Sequence, residues 1–194
     1  MLIIGLNGSP NKNGNTVFLI NSVFDKLKEL GAETKIFHIQ ELLDSAKHNF
    51  CIACSNPCSG VCFKNTKLDD AYEELKKADG ILFGSPSYFG TVTAQLKAFF
   101  DKTRMLRSEK ALYNKVAAAV SVGGSKYGGQ ETTIKALHDI MLVQGMIIVG
   151  DGYNEDDCGH HGVCAHRPAE KDDYAIKRAN ILAKRMFEVC SKMS

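Results

Sequence analysis

The apolar residues of this chain fall into two kinds of stretch that alternate along its length. Short continuous apolar runs predict strands buried on both faces, whereas apolar residues three or four positions apart predict amphipathic helices. The strands are predicted at 2–6, 34–39, 80–85, 116–122 and 146–149. The helices are predicted from apolar stripes within 17–30, 68–78, 92–106, 134–143 and 175–186. Residues 40–67 show no clear period.

Strands that alternate with helices favour a parallel sheet covered by helices on both faces. Five strands and five helices fit an α/β three-layer sandwich of the flavodoxin-like type, with a five-stranded parallel sheet in the order 2-1-3-4-5. The turns after the first, third and fourth strands then open at the carboxyl edge of the sheet, where such folds bind ligands. The 194-residue chain is expected to form a single domain, 1–194, with a cysteine-rich loop at 48–66.

The turn after the first predicted strand combines glycines with hydroxyl and amide side chains, in the sequence GSPNKNGNT at 8–16. Glycines let backbone N–H groups point inward, and the N-terminus of the next helix adds its unpaired N–H groups and positive dipole end. Five residues separate Gly8 from Gly14, and Asn15 stands where a Walker A loop has lysine. The turn therefore predicts a site for a terminal monophosphate that is held and not transferred. The alternative is an ordinary strand-to-helix connection.

Four of the seven cysteines, Cys51, Cys54, Cys58 and Cys62, follow one another with the spacing C-x2-C-x3-C-x3-C. An odd number of cysteines without a secretory signal favours thiols, thiolate ligands or redox chemistry over a disulfide framework. Four thiolates that lie this close in sequence can hold a [4Fe-4S] cluster or a zinc ion. Bare thiols are the third interpretation.

The balance of basic and acidic residues indicates which kinds of partner the chain is expected to bind. The 24 basic and 22 acidic residues leave a net charge of +2, and neither sign forms a long run, so neither nucleic acid nor a membrane surface is implied. A small-molecule partner is expected instead. No apolar run approaches the roughly 20 residues of a membrane span, and the chain enters a strand without a charged leader, so a cytoplasmic protein is expected.

Four segments make the chain resemble the NADPH-dependent FMN reductase family of flavodoxin-like proteins, near its iron-sulfur flavoprotein branch. They are GSPNKNGNT at 8–16, CIACSNPCSGVC at 51–62, ADGILFGSPSYFGTVTAQLKAFFD at 78–101, and the glycine-rich turn at 123–131. The resemblance implies an FMN-binding homodimer or homotetramer that moves electrons from NAD(P)H to an acceptor. The cluster-binding pattern of the family has two residues between the second and third cysteines, whereas this chain has three.

The resemblance also implies roles for individual residues. The FMN phosphate would be held by Ser9, Asn11, Gly14, Asn15 and Thr16. The flavin ring would be lined by Pro86, Ser87, Tyr88, Phe89 and Gly90, with Gly123 and Gly124 facing it from the next turn. No catalytic side chain is assigned, because a flavin carries the chemistry of hydride transfer and the protein orients the reactants. Three cations near these turns could meet a nicotinamide phosphate but are expected to be solvated: Arg104, Arg107 and Lys126.

Three functions follow from these features. The first is an FMN-dependent NAD(P)H oxidoreductase that acts on a quinone, a flavin or another small acceptor. The second is an iron-sulfur flavoprotein that carries electrons between redox protein partners. The third keeps the fold and FMN but uses the four cysteines as a zinc knuckle in a subunit interface. The later loop at 156–168, rich in Cys and His, matches no zinc pattern and is expected to cover the flavin, with a histidine as a polar contact.

Overall fold

The central sheet of the computed structural model, which describes residues 1–193, contains parallel strands in the order β2-β1-β3-β4-β5. This order and the α/β flavodoxin-like fold class confirm the sequence prediction. The strands are β1 (Leu2–Asn7), β2 (Glu33–His38), β3 (Gly80–Pro86), β4 (Val116–Gly123), β5 (Ile147–Ile148) and β6 (Val163–His166).

The sixth strand corrects the predicted number of five. β5 pairs with Val116 and Ala117 at the start of β4, whereas β6 pairs with 120–123 at its end, and both pairings are parallel. The two short strands therefore share one edge position of the sheet, and residues 149–162 leave the sheet between them. β6 was not predicted because its four residues, VCAH, lie in a stretch whose Gly, Cys and His content is typical of a loop.

Helices cover both faces of the sheet. They are α1 (Asn15–Glu29), α2 (Ile39–Ser45), α3 (Lys67–Lys77), α4 (Ala94–Lys102), α5 (Arg104–Ser108), α6 (Gln130–Val143) and α7 (Asp173–Met193), with a 3-10 turn at Ala169–Lys171. The helix predicted within 92–106 is two helices, and α2 lies in the stretch that showed no period. None of the helices in residues 1–193 has both the length and the apolar character needed to cross a bilayer.

The core has one apolar cluster on each face of the sheet. α1 and α7 pack on one face, whereas α2, α3, α4 and α6 pack on the other. Because β1, β3 and β4 are buried almost throughout, they read in the sequence as continuous apolar runs. Glycine lets α1 approach the sheet closely, since a Cβ atom at Gly84 would lie 2.6 Å from Ile20 Cδ1. This packing places the N-terminus of α1 at the carboxyl edge of the sheet.

Candidate functional site

The buried side chain of Asn7, at the end of β1, shapes the loop that follows it (loop A, 8–14). Its Oδ1 accepts a hydrogen bond from the backbone N–H of Ser9 at 3.0 Å. One N–H of its Nδ2 is shared between the carbonyl oxygens of Ser9 and Asn11, which lie 3.3 and 3.4 Å from the nitrogen. Asn7 therefore folds loop A back over the end of the strand. Its role was missed because it depends on contacts that appear only once the loop has closed.

The polar side chains of loop A accept hydrogen bonds from the loop itself. Ser9 Oγ accepts from the backbone N–H of Asn11 at 3.1 Å, and Asn11 Oδ1 accepts from that of Asn13 at 2.9 Å. A hydroxyl and an amide each keep a donor when their oxygen is used in this way. The hydroxyl of Ser9 and the Nδ2 group of Asn11 are therefore left to donate to a ligand.

The N-terminus of α1 lies at the same place. Gly14 occupies its N-cap, and within residues 1–193 it forms no side-chain cap and the first turn contains no acidic residue. The unpaired N–H groups and the positive dipole end are therefore left without an anionic partner from the chain, which suits a bound anion. Asn15 Oδ1 accepts from the backbone N–H of Ala169 at 2.7 Å, so its Nδ2 group is the part left for a ligand.

The turn after β3 (loop B, 86–93) is hydrogen-bonded to the turn after β4 (loop C, 123–129). Ser87 Oγ donates to the carbonyl of Gly128 at 2.8 Å, and Thr132 Oγ1 donates to the carbonyl of Gly90 at 2.7 Å. Gly129 has a φ of +83°, and a Cβ atom there would lie 2.9 Å from the Cα of Gly90. Glycine is needed at 129 both for this backbone conformation and for the close approach of the two loops.

Loop B is also joined to loop A. Thr93 Oγ1 donates to the carbonyl of Gly8 at 2.6 Å, and the backbone N–H of Gly8 donates to the carbonyl of Gly84 at 2.8 Å. The three loops at the carboxyl edge are therefore connected through direct hydrogen bonds. Such a connected edge can hold a ligand in one orientation.

The tip of loop B is a tight turn between Tyr88 and Thr91, whose backbone groups exchange hydrogen bonds at 3.0 and 3.2 Å. Phe89 and Gly90 form the tip, with φ values of 51° and 75°. The side chain of Phe89 is fully exposed, whereas that of Tyr88 is half-exposed and lines the cleft described below. The contact of Phe89 and Gly90 with a flavin ring stays a prediction.

A cleft of about 320 Å³ opens between the three loops. It contains every residue predicted to bind the cofactor except Phe89 and Gly90, together with Val122 and Arg167, which were not predicted. The lining residues are Ser9, Asn11, Gly14, Asn15, Thr16, Pro86, Ser87, Tyr88, Val122, Gly123, Gly124 and Arg167. Arg167 was missed because it follows β6, the strand that the sequence analysis did not recognise.

The chemistry of the lining fits FMN. Loop A and the N-terminus of α1 offer hydroxyl, amide and backbone donors, and no described residue of the lining is acidic. These groups suit a terminal phosphate. Pro86, Tyr88 and Val122 add apolar surface, which suits a flat aromatic ring.

The four cysteines of 51–62 differ in their surroundings. Cys54 is exposed, whereas Cys51, Cys58 and Cys62 are half-buried. Lys102 is only 2% exposed, and its Nζ lies 3.6 Å from Cys62 Sγ.

The hydroxyl of Tyr72 is buried and has no hydrogen-bond partner among residues 1–193. Burial, followed by the charges of Cys62, Cys58 and Cys51, raises the pKa of Tyr72 well above its usual value. Across the described chain, however, no group of three or more His, Cys, Asp or Glu side chains is placed to hold a metal ion. The four-cysteine ligand set therefore stays a prediction.

None of the three cations expected to be solvated is among the described residues that line the cleft. Arg104 and Arg107 line another cavity, of about 500 Å³, together with Cys51 and residues of α4 and α6. Arg107 Nε donates to the carbonyl of Val143 at 3.1 Å. Lys126 is an exposed residue of loop C outside the cleft lining.

The segment 149–162, which carries most of the predicted Cys/His loop, is held by a buried ion pair. Arg178 of α7 donates from Nε to Asp151 Oδ2 at 2.7 Å and from Nη1 to Asp157 Oδ2 at 2.8 Å. The hydrogen bond from Arg178 lowers the pKa of Asp157. His160 and His161 do not line the cleft within the described chain, so the contribution of this region to the cleft is Arg167 and not a histidine.

The fold and the cleft define a flavodoxin-like protein. Among solved structures, a WrbA-like flavodoxin from Agrobacterium tumefaciens has the same fold, with a TM-score of 0.72 and 18% identity over 100% of this chain and 98% of that chain. Residues 1–160 match the family model for NADPH-dependent FMN reductase. The chain belongs to this family, and it is a flavin oxidoreductase.

Two relatives illustrate the range of the family. An iron-sulfur flavoprotein of Methanocaldococcus jannaschii is 40% identical over 195 residues, which cover 97% of each chain. An NAD(P)H dehydrogenase (quinone) of Archaeoglobus fulgidus is 31% identical over 189 residues, which cover 93% of each chain. The chain is thus similar both to an iron-sulfur flavoprotein and to an NAD(P)H dehydrogenase (quinone).

Proposed function

We propose that this protein is an FMN-dependent NAD(P)H oxidoreductase that passes electrons to a quinone, a flavin or another small acceptor. The observation that carries the proposal is the cleft at the carboxyl edge. In this cleft, the N-terminus of α1, which has no side-chain cap, and the hydrogen-bond donors of loop A lie beside the apolar surface of Pro86, Tyr88 and Val122. The similarity to a quinone-reducing NAD(P)H dehydrogenase supports the choice of electron donor and acceptor.

The residues of the cleft divide into two groups by their chemistry. The phosphate would be held by the backbone N–H groups around Gly14 and by the side chains of Ser9, Asn11, Asn15 and Thr16. The flavin ring would be contacted by Phe89 and Gly90 from the tip of loop B. It would be lined by Pro86, Ser87, Tyr88, Gly123 and Gly124.

The described lining contains no Asp, Glu, His, Lys or Cys side chain. None of these side-chain types is therefore available in the described lining to donate or accept a proton. When bound, FMN would take up a hydride and release electrons to the acceptor. The chain contributes position, because loops A, B and C are hydrogen-bonded to one another and hold the lining in a defined arrangement.

An electron carrier with an iron-sulfur cluster is the second candidate. Its support is the 40% identity to an iron-sulfur flavoprotein and the close spacing of four cysteines in the sequence, of which Cys62 lies 3.6 Å from the buried Lys102 Nζ. Anaerobic reconstitution with iron and sulfide tests it. Iron retained by the wild type and lost in each of four variants would favour the carrier: Cys51→Ser, Cys54→Ser, Cys58→Ser and Cys62→Ser. Equal, near-zero iron in the wild type and all four variants would remove it.

We also propose that the working protein is a homodimer or homotetramer. Phe89 and Tyr127 are almost completely exposed near the cleft, and a neighbouring copy would cover such apolar surface. Light scattering of the FMN-loaded protein tests this assembly. A monomer at micromolar concentration would contradict it.

Anaerobic mixing of the FMN-loaded protein with NADH and with NADPH tests the main proposal. Loss of visible flavin absorbance, followed by its return when a quinone is added, is the expected result. The double variant Ser9→Ala, Thr16→Ala is the matched control. It should bind FMN more weakly by a few kcal/mol, at about 1.5 to 3 kcal/mol per hydrogen bond to a charged group. Bound flavin that neither nicotinamide reduces would contradict the proposal.

A further inference from the structure

We propose that Arg167 determines the flavin specificity of the cleft, by favouring a flavin with a terminal phosphate over uncharged riboflavin. The inference rests on the proposed function, because it concerns the ligand of the same cleft. Arg167 follows β6 and lines the cleft together with the residues of loop A and the start of α1. It lies outside the motifs by which the sequence resembles its family.

The backbone on either side of Arg167 fixes its position. The N–H of Arg167 donates to the carbonyl of Gly123 at 3.1 Å, and the N–H of Ala169 donates to Asn15 Oδ1 at 2.7 Å. Residues 167–169 therefore connect the end of β4 to the first residue of α1. A Cβ atom at Gly124 would lie 3.9 Å from Arg167 Nε, so the guanidinium lies beside loop C, where glycine leaves it room.

The charge of Arg167 is unusual among the groups around the cleft. It is the sole charged side chain among the described residues of the lining, and within residues 1–193 it takes part in no salt bridge. Lys12, the cation of loop A, instead pairs with Glu41 of α2 and does not line the cleft. Arg167 is therefore the cation that the chain leaves available to an anionic ligand here.

A phosphate monoester carries about 1.5 to 2 negative charges near neutral pH. The neutral donors of loop A can hydrogen-bond such a group but do not balance its charge. A guanidinium offsets about one of these charges, and its planar N–H groups match phosphate oxygens in pairs. Riboflavin has the same ring and side chain as FMN but lacks this charge. A residue that acts on the phosphate therefore affects FMN binding and leaves riboflavin binding as it was.

Titration of the flavin-free protein with FMN and with riboflavin, followed by flavin fluorescence, tests the inference. The variants are Arg167→Gln and Arg167→Lys, and Lys126→Gln is the matched control because it removes an exposed cation of loop C outside the lining. Arg167→Gln should weaken FMN by about tenfold or more without changing riboflavin affinity. Arg167→Lys should retain part of the preference, and Lys126→Gln should retain all of it.

The ionic strength gives an independent readout. The FMN preference of the wild type should shrink as salt is added, and that of Arg167→Gln should change less. Equal weakening of both flavins by Arg167→Gln, or no weakening of FMN, would overturn this inference and leave the proposed function in place. A wild-type protein that binds neither flavin would overturn both.

Discussion

Asn7 and His38 form a polar contact under loop A that is expected to depend on pH. Asn7 Nδ2 lies 3.1 Å from His38 Nδ1, at the ends of two adjacent strands. Because the amide nitrogen is a donor, this contact requires an unprotonated Nδ1 and therefore a neutral ring. Burial, and then the charge of Lys12, lowers the pKa of His38 below its ordinary value.

The lowered pKa of His38 predicts a loss of stability in mild acid. The unfolded chain takes up the proton near pH 6.5, before the folded protein does. The stabilising contribution is therefore complete above about pH 6.5 and is lost as the pH falls through the folded pKa. Urea unfolding at pH 7 and pH 5 should show a smaller loss for His38→Gln, which keeps an acceptor and does not titrate. Equal losses in the two proteins would show that His38 makes no such contribution.

The cysteines should differ in their reactivity toward a neutral alkylating reagent. Cys54 and Cys158 are exposed, whereas burial raises the pKa of Cys164 and of Cys190 to about 12. Since the thiolate is the reacting form, the half-buried Cys164 and the buried Cys190 should be the slowest. Peptide mass spectrometry after timed alkylation at pH 8 measures this order. Cys158 and Cys164 are a matched pair at the end of one segment, and equal rates for them would contradict the described burial.

Among the elements, α7 contacts the segment 149–162 through Arg178, which donates hydrogen bonds to Asp151 and Asp157, and through Lys184, which pairs with Asp156. The side chains of Asp151 and Arg178 are 1% and 5% exposed, so removing the guanidinium leaves a buried carboxylate without its partner. Arg178→Met should therefore destabilise the protein by about 3 to 5 kcal/mol. Lys192→Met is the control on the same helix, because its ion pair with Glu188 is exposed, and its melting temperature should match that of the wild type. Equal melting temperatures for both variants would contradict a structural role of the Arg178 pair.

The elements that the sequence predicted correctly are those with a strong local pattern. β1, β3 and β4 are buried on both faces, so LIIGLN, GILFGSP and VAAAVSVG show as apolar runs without knowledge of the fold. α2 has only seven residues, which is too short for a helical period to be recognised. β6 forms because β4 offers a free edge beyond β5, and this is a property of the assembled sheet.

The residues around the cleft also differ in how much of their role can be predicted from the local sequence. Glycines, hydroxyls and amides between a strand and a helix indicate an anion site at loop A directly, and the binding of a phosphate there stays a prediction. Asn7 and Arg167 were not predicted, because Asn7 acts through the closed loop and Arg167 reaches the cleft only after β6 has joined the sheet. Arg104 and Arg107 are close in sequence to loop B, but α4 and α5 carry them to another cavity.

For the molecule as a whole, we expect the carboxyl edge of the sheet to bind FMN. Denaturing the freshly purified protein and identifying the released chromophore by chromatography and mass spectrometry measures this most directly, with the flavin-free protein reloaded from an equimolar mixture of FMN, FAD and riboflavin. FMN bound at one molecule per chain, and lost in Ser9→Ala, Thr16→Ala, is the predicted result. Release of FAD, or no flavin bound after reloading, would contradict the account.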